Sequence, residues 1–258
     1  MALSSYLRQR RSKQPVLLMT HVVCGYPSFD DNFRELEIMA RHGVDLVELQ
    51  FPFSEPSADG PLFVKANQMS IANGTSVDQC FEFMTKVSRE FDFKTLMMGY
   101  YNTAFRMGEE LFLQRLADAG ACGYILPDLP LEEAGPLHQL SRQHGLAPIM
   151  LMTPTSSNSR LQQIAEVADG FVYAVARKGV TGNQTEMNTD VAEFIARCRS
   201  ATDLPLAVGF GVSSREDVDF IGSHADIAII GTAALRAWES GGETALNDFF
   251  SAITATRT

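Results

Sequence analysis

The sequence of 258 residues has no excess of basic residues, few cysteines and no long hydrophobic run. Its net charge of −10 argues against a nucleic-acid-binding groove, which needs clustered lysine and arginine. The four cysteines form no C-x-x-C pair, and the five histidines do not have the spacing of metal ligands. We therefore expect no metal site, and free thiols that suit a reducing cytoplasm. No stretch is long enough to cross a membrane.

The N-terminus superficially resembles a signal peptide, because basic residues precede an apolar run. Arg8, Arg10, Arg11 and Lys13 come before the run at residues 16–19. That run is short, polar residues follow it, and no small-residue cleavage site is present. We predict a short amphipathic helix followed by the first strand.

Apolar strand-like runs then alternate with amphipathic helical stretches through eight cycles, a pattern typical of parallel β/α architecture. A single domain, residues 1–258, fits one (β/α)8 barrel of about 250 residues. The predicted strands cover residues 16–24, 44–49, 95–101, 123–126, 147–152, 171–175, 206–208 and 227–230. The predicted helices with two stated bounds cover residues 30–43, 62–91, 109–119, 131–144, 189–200 and 213 to about 221. The helix at residues 62–91 is divided at 74–76, Ser76 caps its second part, and Ser213 caps the helix that it begins. Three more helices are predicted: one capped by Asn158, one that ends at Trp238 and one that begins at Glu243.

The stretch at residues 44–61 carries two carboxylates where a strand ends. Glu48 lies inside a buried apolar strand, where a carboxylate is costly without a partner. Asp59 lies on the Pro- and Gly-rich loop that follows. Enzymes of this architecture hold acid–base pairs at the carboxyl ends of strands. By position alone Glu48 fits a structural ion pair equally well, and Asp59 alone fits an ordinary turn.

Residues 48–61 read ELQFPFSEPSADGP. They resemble the signature of the tryptophan synthase alpha subunit family, Glu-Leu-Gly-x-Pro-Phe-Ser-Asp-Pro-x-Ala-Asp-Gly-Pro. The chain departs from that pattern at Gln50, where Gly is usual, and at Glu55, where Asp is usual. The resemblance extends from Gly25 to Thr232. It implies the same fold, a single-domain (β/α)8 TIM barrel with a short N-terminal helix and extra helices.

Two glycine-containing turns follow the seventh and eighth predicted strands. The segment at residues 209–214 lacks the third glycine of a dinucleotide fingerprint, but it can cradle a phosphate on backbone N–H groups at a helix start. A second such turn, Gly231-Thr232, follows the next strand, although each turn alone fits a tight strand-to-helix connection. The family resemblance implies that the substrate phosphate is bound by amides matching Gly182, Gly211, Gly231 and Thr232.

The segment at residues 177–182 has the composition of a mobile lid, and equally of an ordinary surface loop. By resemblance it closes over the substrate, and Thr181 hydrogen-bonds Asp59. Lys178 replaces a usual Ser there. The resemblance also places Tyr173 near the catalytic glutamate. It implies that Tyr100 and Phe210 border a flat slot for an indole ring, although core packing competes for Tyr100.

The resemblance implies retro-aldol cleavage of indole-3-glycerol phosphate to indole and glyceraldehyde 3-phosphate, a lyase step of tryptophan biosynthesis. Glu48 is the expected acid–base residue, and Asp59 is expected to balance the charge on the protonated ring. The resemblance implies no metal or organic cofactor in this chain. It also implies a beta subunit that carries pyridoxal phosphate, in an α2β2 heterotetramer.

Two alternatives stay open. The departures at Gln50, Glu55, Ser57 and Lys178 fit a catalytically weakened module that regulates a beta subunit. Gln50 shares strand parity with Glu48, so it is expected to point into the same mouth and crowd the substrate. The second alternative is a stand-alone lyase that uses the same chemistry without a partner.

Overall fold

Parallel strands alternate with helices through the computed structural model, which describes residues 2–176, 187–209 and 211–255. The strands of these residues are β1 (Leu17–Val23), β2 (Leu46–Gln50), β3 (Lys94–Met98), β4 (Gly123–Ile125), β5 (Ala147–Pro148), β6 (Met150–Met152), β7 (Val172–Val175), β8 (Leu206–Gly209) and β9 (Ile227–Ile230). The helices are α1 (Leu3–Arg11), α2 (Phe29–Arg41), α3 (Pro61–Ala72), α4 (Val77–Glu90), α5 (Tyr101–Met107), α6 (Glu109–Asp118), α7 (Gly135–Gln143), α8 (Asn158–Val167), α9 (Met187–Ala201), α10 (Arg215–His224) and α11 (Thr232–Thr254).

The strands form one parallel sheet in the order β5-β4-β3-β2-β1-β9-β8-β7-β6. Its two ends, β5 and β6, are adjoining halves of the predicted fifth strand, which is interrupted at Ile149. One half pairs with β4 and the other with β7, so the same stretch of chain brings the ends of the sheet together. The predicted barrel is confirmed, with the fifth strand divided.

Apolar side chains fill both faces of this sheet. One set, including Leu17, Leu46 and Leu96, packs inside the barrel, and a larger set packs between the sheet and the helices. The predicted N-terminal helix is α1, whose buried residues Leu3 and Leu7 belong to the interior set. It covers the end of the barrel where the strands begin. The opposite end, at the carboxyl ends of the strands, carries the carboxylates discussed below.

Several predicted boundaries are correct, and they depend on turn chemistry. Ser76 caps α4 through a capping box with Gln79, as the sequence predicts. The predicted division between Trp238 and Glu243 is present as a kink at residues 241–242 of α11, where both glycines leave helical backbone angles.

Other predicted boundaries are wrong, and two of them lie where neighbouring residues satisfy the same capping rule. The third strand ends at Met98 rather than at residue 101, and Tyr100 is the N-cap of α5, a helix absent from the predictions. Ser157 rather than Asn158 caps α8, and Ser214 rather than Ser213 caps α10. The seventh helix begins at Gly135 instead of residue 131, because residues 131–133 form a turn before it.

All four cysteines are free thiols, and three of them are fully buried. In the described parts of the chain, no helix combines the length and apolar character that a membrane crossing requires.

Candidate active site

Glu48 projects into the barrel from the middle of β2, where its side chain has the same parity as the interior residue Leu46. It is only 2% exposed. Its Oε2 atom lies 3.9 Å from Nδ1 of His21, and its buried Oε1 has no hydrogen-bond partner among the described residues. Burial raises the pKa of this carboxyl to about 8, and the negative charge of Asp59 adds to the rise. Glu48 is therefore protonated at neutral pH.

Asp59 lies on the loop between β2 and α3, and hydrogen bonds fix its carboxylate. Its Oδ2 atom accepts from Nε2 of Gln50 at 2.7 Å and from the hydroxyl of Tyr100 at 3.1 Å. The backbone N–H of Ala58 donates in turn to the Tyr100 hydroxyl at 3.1 Å. The predicted carboxylates are thus brought to one place, Glu48 by a rigid strand and Asp59 by a loop tied to its neighbours.

A cavity of about 250 Å³ lies between these two carboxylates. Its polar wall is formed by Glu48, Asp59, His21 and the hydroxyl-bearing residues Thr153 and Tyr173. The remaining lining is mostly apolar and consists of Ala58, Met98, Ile125, Pro127, Leu151 and Val175. Such a site presents few polar groups to a flat apolar ligand, and those groups define its orientation.

Tyr173 on β7 reaches toward the carboxylates, and Gly209 leaves room for it. A Cβ atom added at Gly209 would lie 3.0 Å from the Tyr173 hydroxyl oxygen, so a larger residue would displace the ring. Burial raises the pKa of Tyr173 well above its usual value, and the charges of Glu48 and Asp59 raise it further. The hydroxyl therefore stays protonated and remains a hydrogen-bond donor.

Tyr100 lies in the same region but is not among the residues that line the cavity. It is 1% exposed and stacks on Phe53, with ring centroids 4.9 Å apart. Its hydroxyl is the donor to Asp59 described above. The predicted place of Tyr100 beside an indole ring stays a prediction, while its contact with the Asp59 carboxylate is a finding that the sequence did not indicate.

The two predicted phosphate turns differ in how their helices begin. At α10, Oδ2 of Asp217 accepts from the backbone N–H groups of Ser213 at 2.8 Å and Ser214 at 3.1 Å. At α11 the N-cap is Gly231, and no side chain of the described residues caps the helix that Thr232 begins. A Cβ atom at Gly231 would lie 3.3 Å from the Phe63 ring, which stacks on the cavity residue His21. The open start of α11 therefore adjoins the cavity.

Gly211 has a φ of +83°, the left-handed region that side chains rarely adopt. Three predicted substrate-binding residues, Thr181, Gly182 and Phe210, lie outside the described residues, as does the predicted lid at 177–182.

Replacing Gly211 by Val is expected to raise the KM for a phosphorylated substrate about tenfold, since a branched side chain would obstruct amides that bind an anion. Steady-state kinetics measure this. Gly43→Val is the matched control, because Gly43 has a φ of +70° and no atom within 4 Å of an added Cβ. It carries the same backbone strain near the end of α2, away from the cavity. An unchanged KM in the Gly211 variant would count against a phosphate site there.

No group of three or more His, Cys, Asp or Glu side chains that could hold a metal ion is present among the residues described.

Comparison with known proteins agrees with this geometry. The model of the tryptophan synthase alpha chain family matches residues 7–255 of the sequence. The chain belongs to the tryptophan synthase alpha chain family. It is 46% identical over 251 residues to the alpha chain of Syntrophotalea carbinolica, a match that covers 97% of this chain and 99% of the relative. It is 44% identical over 253 residues to that of Desulfotalea psychrophila, covering 98% and 100%.

Solved structures of tryptophan synthases have the same fold. A crystal structure of tryptophan synthase from M. tuberculosis superposes with a TM-score of 0.90 at 27% identity, over 100% of this chain and 99% of that one. A chain of the tryptophan synthase complex from Pyrococcus furiosus superposes with a TM-score of 0.84 at 25% identity, over 93% and 98%. The resemblance that the signature at residues 48–61 carries is thereby confirmed.

The contacts of two residues at this site, Gln50 and His21, were not predicted from the sequence. Gln50 points into the barrel as its parity indicates, but it bonds to Asp59 and is 0% exposed. His21 on β1 stands directly opposite Glu48 in the sheet register. One signal was available for His21, since it is the only ionisable residue of the mostly apolar strand β1.

Proposed function

We propose that this chain cleaves indole-3-glycerol phosphate to indole and glyceraldehyde 3-phosphate, as a carbon–carbon lyase of tryptophan biosynthesis. One observation carries the proposal. A buried, protonated Glu48, one oxygen of which has no partner in the described part of the chain, borders a mostly apolar cavity, and a fixed carboxylate, Asp59, lines the same cavity. This arrangement supplies one proton donor and one negative charge, which are the two things that the reaction requires.

In the first step, Glu48 donates its proton to carbon 3 of the indole ring, which leaves a positive charge centred on the ring nitrogen. In the second, the Glu48 carboxylate takes the proton of the side-chain hydroxyl. The carbon–carbon bond breaks, its electron pair returns to the ring, and the aldehyde forms. Glu48 ends protonated, as it began. A carboxyl with a pKa of about 8 is suited to both transfers near neutral pH.

Asp59 is proposed to accept a hydrogen bond from the ring N–H, and so to stabilise the positive charge of the intermediate. Among the described residues, both side-chain donors to Asp59 reach its Oδ2 atom, so Oδ1 is the atom proposed to accept from the ring N–H. Tyr173 is proposed to contact the glycerol hydroxyls beside Glu48. Tyr100 and Phe210 are proposed to border the indole, and Gly182, Gly211, Gly231 and Thr232 to bind the phosphate. Thr181 is proposed to bind Asp59 on closure.

The family and the complex from Pyrococcus furiosus support a beta-subunit partner for this chain. We propose an α2β2 heterotetramer in the cytoplasm. Pyridoxal phosphate would belong to the beta subunit, and this chain would use no cofactor of its own. We also propose that residues 1–258 act as one domain, since one sheet links residues 17 to 230.

The alternatives gain no support from these comparisons. Of the four departures behind the weakened-module hypothesis, Gln50 was expected to crowd the substrate, but its side chain bonds to Asp59 and is not among the residues that line the cavity.

The purified chain is expected to release indole from indole-3-glycerol phosphate, and a beta subunit is expected to raise its turnover. Indole is measured by chromatography, with and without added beta subunit. A turnover that stays the same when the beta subunit is added would support the stand-alone lyase. A folded chain that releases no indole under either condition would contradict the proposed function and favour the regulatory module.

A further inference from the structure

A chain of hydrogen bonds joins β1, β2 and the Asp59 loop. Gln50 donates through Nε2 to Oδ2 of Asp59 at 2.7 Å, and its Oε1 lies 2.9 Å from Nε2 of His21. The carboxylate of Asp59 accepts hydrogen bonds, so the amide NH2 of Gln50 must face it. The amide oxygen must then face His21. The orientation of the Gln50 side chain follows from its partners at both ends.

This orientation determines where His21 carries its proton. Oε1 of Gln50 is an acceptor, so Nε2 of His21 must be the donor. Nδ1 of the neutral ring then has a lone pair, and it faces Oε2 of Glu48 at 3.9 Å. The ring itself is held by stacking on Phe63, with centroids 4.2 Å apart and planes 16° apart. Burial lowers the pKa of His21, which agrees with a neutral imidazole.

We infer that Gln50 and His21 are positioning residues that orient the Asp59 carboxylate before substrate binds, with His21 acting through Gln50. The inference rests on the proposed function. Asp59 is on an irregular loop, whereas Gln50 and His21 are on adjacent strands of the barrel. A hydrogen bond from a strand residue therefore transfers the rigidity of the sheet to a loop carboxylate. The usual family residue at position 50 is Gly, which has no side chain to make this bond.

A positioning role predicts a loss in kcat rather than in KM. The charge that Asp59 balances exists only after the ring is protonated, so misplacing the carboxylate weakens the transition state more than the bound substrate. Gln50→Met keeps the length and shape of the side chain but removes its donor. We expect kcat to fall about tenfold, the usual loss for a hydrogen bond to a charged group, with KM changed less than about twofold.

His21→Phe keeps a ring stacked on Phe63 but removes the proton on Nε2. The Gln50 amide can then rotate and exchange the positions of its oxygen and nitrogen. We expect kcat to fall severalfold in the wild-type background and by a smaller factor in the Gln50→Met background. The double variant should therefore lose less than the two single losses combined, a non-additivity that shows that the two residues act together. Gln163→Met, on the exposed surface of α8, is the matched control and should leave kcat unchanged.

Nitrogen NMR of the His21 ring shows which ring nitrogen carries the proton, and a merely structural role of Gln50 would not change that. The wild-type ring should be the Nε2–H form, and that preference should weaken in Gln50→Met. Additive kcat losses, a rise in KM with kcat unchanged, or the same ring form in both proteins would overturn the inference. If Gln50→Met does not fold, Gln50→Leu replaces it. A wild-type chain that releases no indole would instead contradict the proposed function, and the positioning role with it.

Discussion

Glu48→Gln is expected to lower indole release by about 10³-fold, the usual range for loss of a general acid–base group. Glutamine has nearly the same shape, but it can neither give a proton to carbon 3 of the indole nor take one from the hydroxyl. The measurement is kcat for indole release, with substrate binding followed separately. KM is expected to change little, because Glu48 is proposed to act on the reacting atoms and the proposed phosphate-binding residues are different ones.

The chain offers a matched control for this substitution. Glu35 on α2 is 4% exposed, and one of its buried oxygens has no hydrogen-bond partner among the residues described. Its pKa is raised by burial and then by the charge of Asp31. It is not among the residues that line the cavity. Glu35→Gln therefore removes an equally buried carboxyl while leaving the proposed chemistry intact, and activity should persist. Loss of activity in both variants would point to a general effect on the fold and would contradict a specific role for Glu48.

The raised pKa of Glu48 also makes the stability of the folded chain depend on pH. Below its ordinary pKa of 4.5 the carboxyl is neutral in both folded and unfolded chains, and burial costs little. Between that pH and about 8 the unfolded chain ionises while the folded one does not, so stability falls as pH rises. In Glu48→Gln this loss is absent. At pH 9 the free energy of unfolding of the variant is expected to exceed that of wild type by up to ~5 kcal/mol, and at pH 5 the difference should be smaller. Denaturant titration at the two pH values measures both.

The barrel could be predicted because parallel strands buried on both faces appear in the sequence as continuous apolar runs. The regular alternation of these runs with helices then indicates the β/α architecture. The interior position of Glu48 could be predicted in the same way, because Glu48 lies within the apolar run that forms β2. The third strand was extended to residue 101 because Tyr100 and Tyr101, which follow Gly99, are of a residue type common in strands, and nothing there marks the start of a helix. The connection from His21 through Gln50 depends on sheet register, which pairs residues far apart in the sequence and which no local pattern reveals.

Asp59→Asn is expected to lower kcat by about 10²-fold or more, while leaving the fold and the binding of the phosphate end intact. The amide oxygen of asparagine can still accept from Gln50 and Tyr100, so the loop should keep its place. What the variant loses is the negative charge that balances the protonated ring. The measurement is kcat and KM for indole release. Asp118→Asn, an exposed carboxylate at the end of α6, is the control and should retain activity. Near-normal turnover in Asp59→Asn would remove Asp59 from the mechanism.

The same variant tests the coupling between the two carboxylates. The charge of Asp59 is the second cause, after burial, of the high pKa of Glu48. Removing that charge should bring the pKa of Glu48 below its wild-type value of about 8. In wild type, kcat/KM is expected to fall as pH rises through that value, since the ionised carboxylate has no proton to give. The residual activity of Asp59→Asn should fall at lower pH than wild type. An unchanged midpoint would mean that the two groups do not share one electrostatic environment, although both face one cavity.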